Sequence, residues 1–577
     1  MESTNTHFYR TCRSTVRREV VSKPYHGLPA HAACHSNSQS RGSSTWPRWP
    51  WHVVIQLPLV LLAITLCGRP CHSEQPRPNI LIVLADDLGY SDLGCYGSEI
   101  RTPNLDAMAM RGLRLTQFYN TARCWPTRAA LLTGYYAQQV RRDVLESIPS
   151  GNRGERPEWA PLVCRMLNES GYRCYHSGKW HIDGMPVQNG FEHSYYLQDQ
   201  GRFFSPRKHF QDDQPLEAVK PGGNYYGTVA ITNHCVETLQ EHLKSHADQP
   251  FFHYLAYTAP HFPLQALPED IARYQSVYAV GWDAIRQQRF EKQQQMGLLP
   301  GVALSAVETE VGPPYDFPEA LPMLGPGEVN RPVKWASLTD EQRQFQASKM
   351  AIHAAMVDRI DQELGRVFEL LASSGKLDNT LIFFLSDNGA SAEMMVRDDG
   401  HDPGALPGSA KSYLCLGPGW STVCNTPFRR HKTWVHEGGI STPLIVSWPG
   451  QIAARGELRH ASGHVIDIVP TVLDVACVDP PTFENAPAYP GRSLRPVFSS
   501  DAKASERNLW WQHEGNRAFR EGNWKIVAAG KEAAWELYDM GTDRAEAHNL
   551  AAERPEVVEE LSRKWSSQLQ EFRQRFE

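Results

Sequence analysis

Two pairs of oxygen-bearing side chains, Asp86-Asp87 and Asp387-Asn388, stand 301 residues apart in matching surroundings. Each pair ends an unbroken apolar run, Ile80 to Ala85 in one case and Leu381 to Leu385 in the other, and each is followed closely by glycine. Adjacent carboxylates repel one another unless a cation lies between them. Hard divalent ions prefer oxygen ligands, and four such side chains favour calcium over magnesium, which keeps several waters or phosphates in its shell. Taken singly, either pair reads equally as a turn or a helix cap. Both at equivalent positions point to one bound metal.

The third chemical feature is "CWPTRAALLTG", residues 124 to 134. Pro126 suits the first turn of a helix, and Gly134 suits its stop. Cys124 then sits at a helix N-terminus, where free N–H groups and the dipole favour negative charge. A thiolate nucleophile fits such a position, but no base lies near it in sequence.

The Cys-x-Pro-x-Arg spacing with Leu-Thr-Gly downstream resembles the signature of the sulfatase family, and the likeness spans nearly all of residues 77–577. It implies that a maturation enzyme oxidises Cys124 to formylglycine (3-oxoalanine), whose hydrate is the nucleophile and a metal ligand beside Asp86, Asp87, Asp387 and Asn388. One calcium per chain is implied. "SGKWHIDG" matches the family's Gly-Lys-Trp-His segment and places Lys179 and His181 at the site. Two residues apart on an extended segment, they would point to one side. "PFFHYLAYTAPHFPLQA" reads as a buried strand followed by His261, and "TPFRRHKTWVHEGG" resembles the family's lysine-bearing segment, giving Lys432. His431 beside it reads as solvated. Arg128 would pair with the formylglycine and the metal carboxylates. The family pattern makes Lys179, Lys432 and His261 the balance for sulfate charge. His261 or Lys432 protonates the leaving oxygen, Asp387 assists attack, and His181 takes the proton that releases sulfate. The implied activity is sulfuric ester hydrolysis of the arylsulfatase type, on a sulfated small molecule or glycan. Two readings compete with it: a phosphatase or phosphonate hydrolase of the related alkaline phosphatase group, and a non-catalytic protein on the same scaffold. The first needs further Asp/His clusters; "DDGHDPG" around His401 is the tempting one and reads as loop. The second is opposed by the presence of every expected catalytic residue.

Elements must bring these residues together. Apolar runs without alternation read as strands covered on both faces, the mark of a parallel sheet. In open α/β sheets ligands bind beyond the carboxyl ends of the strands. The expected fold is α/β, with a large, mixed, mostly parallel sheet flanked by helices, alkaline-phosphatase-like by the resemblance. After about residue 495 the pattern changes. "LWWQHEGNRAFREGNWKIV" reads as antiparallel strands around Gly/Asn turns, and residues 554–574 as a closing amphipathic helix. The expected division is a leader over 1–75, a catalytic domain over 76–495 and a small α+β domain over 496–577. Trp282, Ile285 and Arg286 fall at helical spacing and read as core; His513 and Asn516 read as structural, with the pocket rim as the alternative.

The chain has 577 residues, 41% of them hydrophobic, and a formal charge of −6. Residues 1–75 hold eight Lys/Arg against three Asp/Glu, a charge of +5, which leaves −11 for the remainder. So acidic a body repels nucleic acid and other polyanions unless a basic pocket intervenes, and no nucleic-acid partner is expected. The apolar stretch Val53 to Cys67 is short for a membrane span and suits a signal peptide ending near residues 67–75. Export to the periplasm or outside is therefore expected, with no stable membrane span; the alternative is a retained anchor. The leader is either unusually long or the true start lies downstream. No cysteine spacing fits a zinc site. An exported chain permits disulfides, and Cys415 with Cys424 is the first pair to consider, against two free thiols.

Overall fold

The computed structural model describes residues 76–308, 319–397, 399–453, 455–501 and 507–577. The signal-peptide reading lies outside them. Among the described residues no helix is long and apolar enough to cross a membrane.

Among the described residues eleven strands form the main sheet: β1 (Asn79–Ala85), β2 (Leu113–Tyr119), β3 (Arg173–Gly178), β4 (His193–Leu197), β5 (His209–Gln211), β6 (Gln214–Pro215), β7 (Phe251–Ala256), β8 (Thr380–Ser386), β9 (Ser441–Ser447), β10 (Glu457–Arg459) and β11 (Gly463–His464). Their order is β10-β2-β9-β8-β1-β7-β3-β4-β5-β6, with β11 also on β2. The run β8-β1-β7-β3-β4 is parallel throughout, and β9 lies antiparallel between β8 and β2. The expected α/β class with a mixed, mostly parallel sheet is what the chain forms.

Period 2 explains the unbroken apolar runs. Along β1, Leu81, Val83 and Ala85 enter one core and Ile80, Ile82 and Leu84 the other. Strand β8 divides likewise, with Ile382 and Phe384 on one face and Leu381, Phe383 and Leu385 on the opposite one. Each face needs a covering layer. The helix Asp340–Ser373 covers the first, and Val163–Glu169 with Ile468–Ala476 the second. At roughly 1.5–3 kcal/mol for each large side chain fully buried, alternation into two cores holds the central strands against slippage. A one-residue shift would exchange the faces.

A four-stranded antiparallel sheet follows: β12 (Asn508–His513), β13 (Asn516–Glu521), β14 (Trp524–Ala528) and β15 (Glu536–Asp539). The closing helix Pro555–Gln574 lies on it, with Trp565 stacked on Trp510 at 5.8 Å. Trp282, Ile285 and Arg286 are buried on the helix Trp282–Gln295, as their spacing implied. The disulfide reading fails. Cys415 and Cys424 are both free and buried, the first donating to the Met395 carbonyl at 3.4 Å and the second 3.7 Å from His353 Nε2.

Candidate active site

The registry of β1 on β8 pairs Ala85 with Ser386, so Asp86-Asp87 and Asp387-Asn388 leave the sheet side by side. All four side chains are buried. Asp87 has φ of 67°, a left-handed conformation uncommon for a residue with a Cβ. Its N–H donates to Asp387 Oδ1 at 3.3 Å, and Asn388 Nδ2 donates to Asp87 Oδ1 at 2.7 Å. Asp86 Oδ1 and Asn388 Oδ1 are buried without a hydrogen-bond partner. Two unsatisfied oxygens among three carboxylates fit a hard divalent cation, because an orphaned buried acceptor is otherwise costly.

Cations surround the cluster. Arg128 holds Asp387 Oδ2 with Nη2 at 2.7 Å and Nε at 3.0 Å, and stands 3.8 Å from Asp86. Lys179 Nζ is 2.5 Å from Asp86 Oδ2. Lys432 Nζ bridges Asp87 at 2.9 Å and Glu393 at 3.0 Å. His261 Nε2 lies 3.7 Å from Asp87. Burial alone would raise Asp86, but Lys179, His261 and Arg128 hold it below the usual carboxylate range. Asp387 is pushed up to about 7, by burial first and the Asp86 charge second, against Arg128 and Lys179. Burial lowers His261 to about 4. Lys432 is raised by Asp87 and Glu393 despite its burial.

Cys124 is the first residue of the helix Cys124–Thr133, which ends at Gly134 with φ of 78°. The thiol is raised above its ordinary value, chiefly by burial. It is therefore a poor thiolate at neutral pH. Above Cys124 opens a pocket of about 630 Å³, lined among others by Lys179, His181, His261 and Lys432. Of the site residues expected from the sequence, Cys124, Lys179, His181, His261 and Lys432 line it, and Asp86, Asp87 and Asp387 lie behind them, in contact with Lys179, Lys432, His261 and Arg128. Two readings change. His181 does share the pocket with Lys179, but through a left-handed kink (φ 59°) and not an extended segment. Its Nδ1 is buried without a partner, and burial holds the ring well below its ordinary pKa. His431 is buried rather than solvated, bonded through Nδ1 to Ser421 Oγ at 2.8 Å. His401 stays in a loop, accepting from the Tyr413 N–H. His513 and Asn516 lie behind the pocket: His513 is fixed by Asp143 at 3.0 Å with its ring 5.3 Å from Trp125, and Asn516 donates to the Thr433 carbonyl.

Sequence reasoning missed Glu393. It sits on the loop after β8, 2% exposed, and binds both Lys432 and Arg123 (3.2 Å). It also missed the basic mouth, where Arg202, Arg207, Lys208 and Arg397 line the opening. No spacing marks either. A second group with metal-binding atoms, Asp92, His353 and Cys424, is fully buried, and Arg289 already neutralises Asp92 at 2.6 Å.

Comparison with known proteins agrees with the geometry. The family model described as Sulfatase matches residues 78–478, and the model for the C-terminal part of N-sulphoglucosamine sulphohydrolase matches residues 429–575. An uncharacterized sulfatase of Schizosaccharomyces pombe is 32% identical over 554 residues, covering 85% of this chain and 93% of its own. The arylsulfatase of Klebsiella aerogenes is 32% identical over 451 residues, covering 73% and 91%. Among solved structures, Ps i-CgsB in complex with k-i-k-neocarrahexaose superposes with a TM-score of 0.60 at 22% identity, covering 85% of this chain and 93% of that one. At that identity the likeness speaks for the fold alone.

Proposed function

The chain belongs to the sulfatase family, and from that premise we propose that it hydrolyses aryl or carbohydrate sulfate esters with a formylglycine made from Cys124 and one calcium ion. The observation that supports this most is the placement of Cys124, a buried high-pKa thiol at a helix N-terminus over carboxylates ringed by cations. Such a thiol suits a precursor better than a nucleophile. Once converted, residue 124 supplies a hydrated aldehyde as nucleophile. Asp86, Asp87, Asp387 and Asn388 would hold calcium, which when bound supplies Lewis-acid polarisation and orients the sulfate oxygens.

The chain's own residues do the rest. Arg128 fixes Asp387 in one rotamer by a two-pronged contact, and Lys179, with His261 and Arg128 behind it, keeps Asp86 charged. Lys179 and Lys432 place two ammonium groups against the anionic ester. His261, beyond the carboxyl end of β7, can hand a proton to the departing oxygen once it is protonated, a state that the charge of the bound ester favours against its burial, with Lys432 as the alternative donor. His181 is neutral, and its unpartnered Nδ1 can accept the proton whose removal frees sulfate. The helix N-terminus adds positive potential where negative charge accumulates.

Export and a formylglycine-generating maturation enzyme are part of the same proposal. Peptide mass spectrometry on protein made with that enzyme should show the Cys124 sulfur replaced by oxygen, with sulfate release from an aryl or sugar sulfate. Full activity with an intact thiol would overturn it. Metal analysis should find one calcium per chain; two zinc ions would favour a phosphatase. Arg289 on Asp92 opposes that alternative, since it occupies the charge a second metal would need.

A further inference from the structure

We propose that the mouth of the pocket is a subsite for a second anionic group, a sulfate or carboxylate carried by the leaving portion of the substrate. The preferred substrates are then glycan sulfates with at least two negative charges. This rests on the sulfatase reading.

The body of the protein is acidic, at −11 over residues 76–577, yet this opening is not. Arg202, Arg207, Lys208 and Arg397 line it, opposed by Asp199 and its neighbour Asp399. Two of the four cations are spent on structure. Arg202 binds Asp199 at 2.7 Å and Asp399 at 3.1 Å, and Arg207 takes Asp399 at 2.8 Å. These contacts tie the β4–β5 loop to the loop after β8. Lys208 and Arg397 have no carboxylate partner among the described residues, and both side chains are exposed.

Arg397 is nevertheless held in place. Its guanidinium carbon lies 5.7 Å from the centre of the Phe262 ring, while Lys432 Nζ lies 5.3 Å from the same centre. The two cations can therefore be no more than 11.0 Å apart. A stacked guanidinium keeps its N–H edge free for a planar or tetrahedral anion. Phe262 adjoins His261, their ring centres 4.1 Å apart. An anion at Arg397 thus sits on the side where the leaving oxygen takes its proton, which assigns it to the alcohol. A cavity of about 630 Å³ is within the usual range for a drug-sized ligand and has room for a sugar beyond the sulfate. A simple aryl sulfate would leave Lys208 and Arg397 unused.

The test compares three esters on enzyme with verified Cys124 conversion: a monosulfated sugar, the same sugar with two sulfates, and a sulfated disaccharide containing a uronate. At low salt at least one two-anion ester should exceed the monosulfate in kcat/KM by tenfold or more, mainly through KM. The preference should shrink at high salt, because exposed charges are screened. Which ester is preferred identifies the second group as sulfate or carboxylate. In the Lys208→Ala/Arg397→Ala double variant the ratio of two-anion to one-anion kcat/KM should fall to within about twofold of one, and Arg397→Lys should restore part of it. Calorimetry on Cys124→Ala protein gives a readout free of turnover: the disulfated sugar should bind at least tenfold tighter than the monosulfate, and lose that margin in the double variant. Equal binding and equal kcat/KM in the parent protein, or a margin unchanged by the double variant, would overturn the subsite. If the converted enzyme releases sulfate from no ester while the binding margin persists, the sulfatase reading fails and the anion subsite stands.

Discussion

In the proposed reaction His261, Lys432 and Lys179, which line one pocket, face the same sulfate, and substrate choice separates their roles. Nitrophenolate leaves with little help, whereas a sugar alkoxide needs its proton in the transition state, and general acid catalysis is worth roughly 10²–10⁴-fold there. The Ala variant of the true donor, His261 or Lys432, should lose far more kcat/KM on sugar sulfates than on nitrophenyl sulfate. Lys179→Ala should lose similarly on both. Equal losses in all three variants would remove the general-acid assignment and leave the anion-binding one. Glu393 shows what residue types alone could not disclose. Cys124, Asp86 and Asp387 announce themselves by the motif or the strand that presents them. Glu393 belongs to no motif and matters only because its loop folds back onto Lys432 and Arg123. Removing one partner of a buried ion pair costs about 3–5 kcal/mol, since the other charge is left unpaired. Denaturant titration of Glu393→Ala should show a loss of that size together with reduced turnover; a change below about 1 kcal/mol would mean that the two cations find other partners.

At the scale of elements, the central strands were legible because burial on both faces writes itself as an unbroken apolar run. Their carboxyl ends, and therefore the carboxylate cluster, could be located from the same signal. Sheet order was not legible: β2 lies beside β9, more than 300 residues later, and nothing in the local composition of either strand specifies that pairing. The kink at His181 was missed for a similar reason. Histidine adopts a left-handed backbone more often than most residues with a Cβ, but nothing local requires it, and at His181 the surrounding contacts select it. The turns after β1 and β8 depend on close backbone approach. A Cβ on Gly389 would stand 1.9 Å from the Gly438 carbonyl oxygen, and one on Gly89 would stand 2.3 Å from that of Cys424. Gly389→Ala must therefore move the turn that carries Asp387 and Asn388. We expect a stability loss of roughly 1–3 kcal/mol and weakened calcium binding, read by chemical denaturation and by calcium titration. An unchanged calcium affinity would show that the turn yields without displacing its ligands.

Across the whole molecule, the small antiparallel sheet is tied to the site it adjoins. Trp511 donates from Nε1 to the Asn120 carbonyl just before the Cys124 helix, and Arg520 reaches the Tyr119 hydroxyl at 2.6 Å. The large structure also buries many histidines, which makes its stability depend on pH in a definite direction. Burial pushes His176 and His431 down to about 3 and His234 to about 4, from an ordinary 6.5. Each is neutral in the folded state until well below pH 5, while the unfolded chain takes up its proton from about pH 6.5 downwards. The unfolded state then binds more protons, so stability is full above pH 6.5 and falls with pH through the window from 6.5 to the folded values, by about 1.4 kcal/mol per histidine per pH unit. Carboxyl groups whose pKa is raised, such as Asp361 at about 6, contribute with the opposite sign, so a single variant is a cleaner test than the total. His431 accepts or donates one hydrogen bond, to Ser421, which a glutamine amide can replace without titrating. Urea unfolding of the parent and of His431→Gln at pH 7.0 and 5.5 should show the variant losing roughly 1 kcal/mol less across that interval, even if it starts less stable. Parallel losses in the two proteins would mean that His431 protonates in the folded state as readily as in the unfolded one, through an opening of the Ser421 contact that lets water reach the ring.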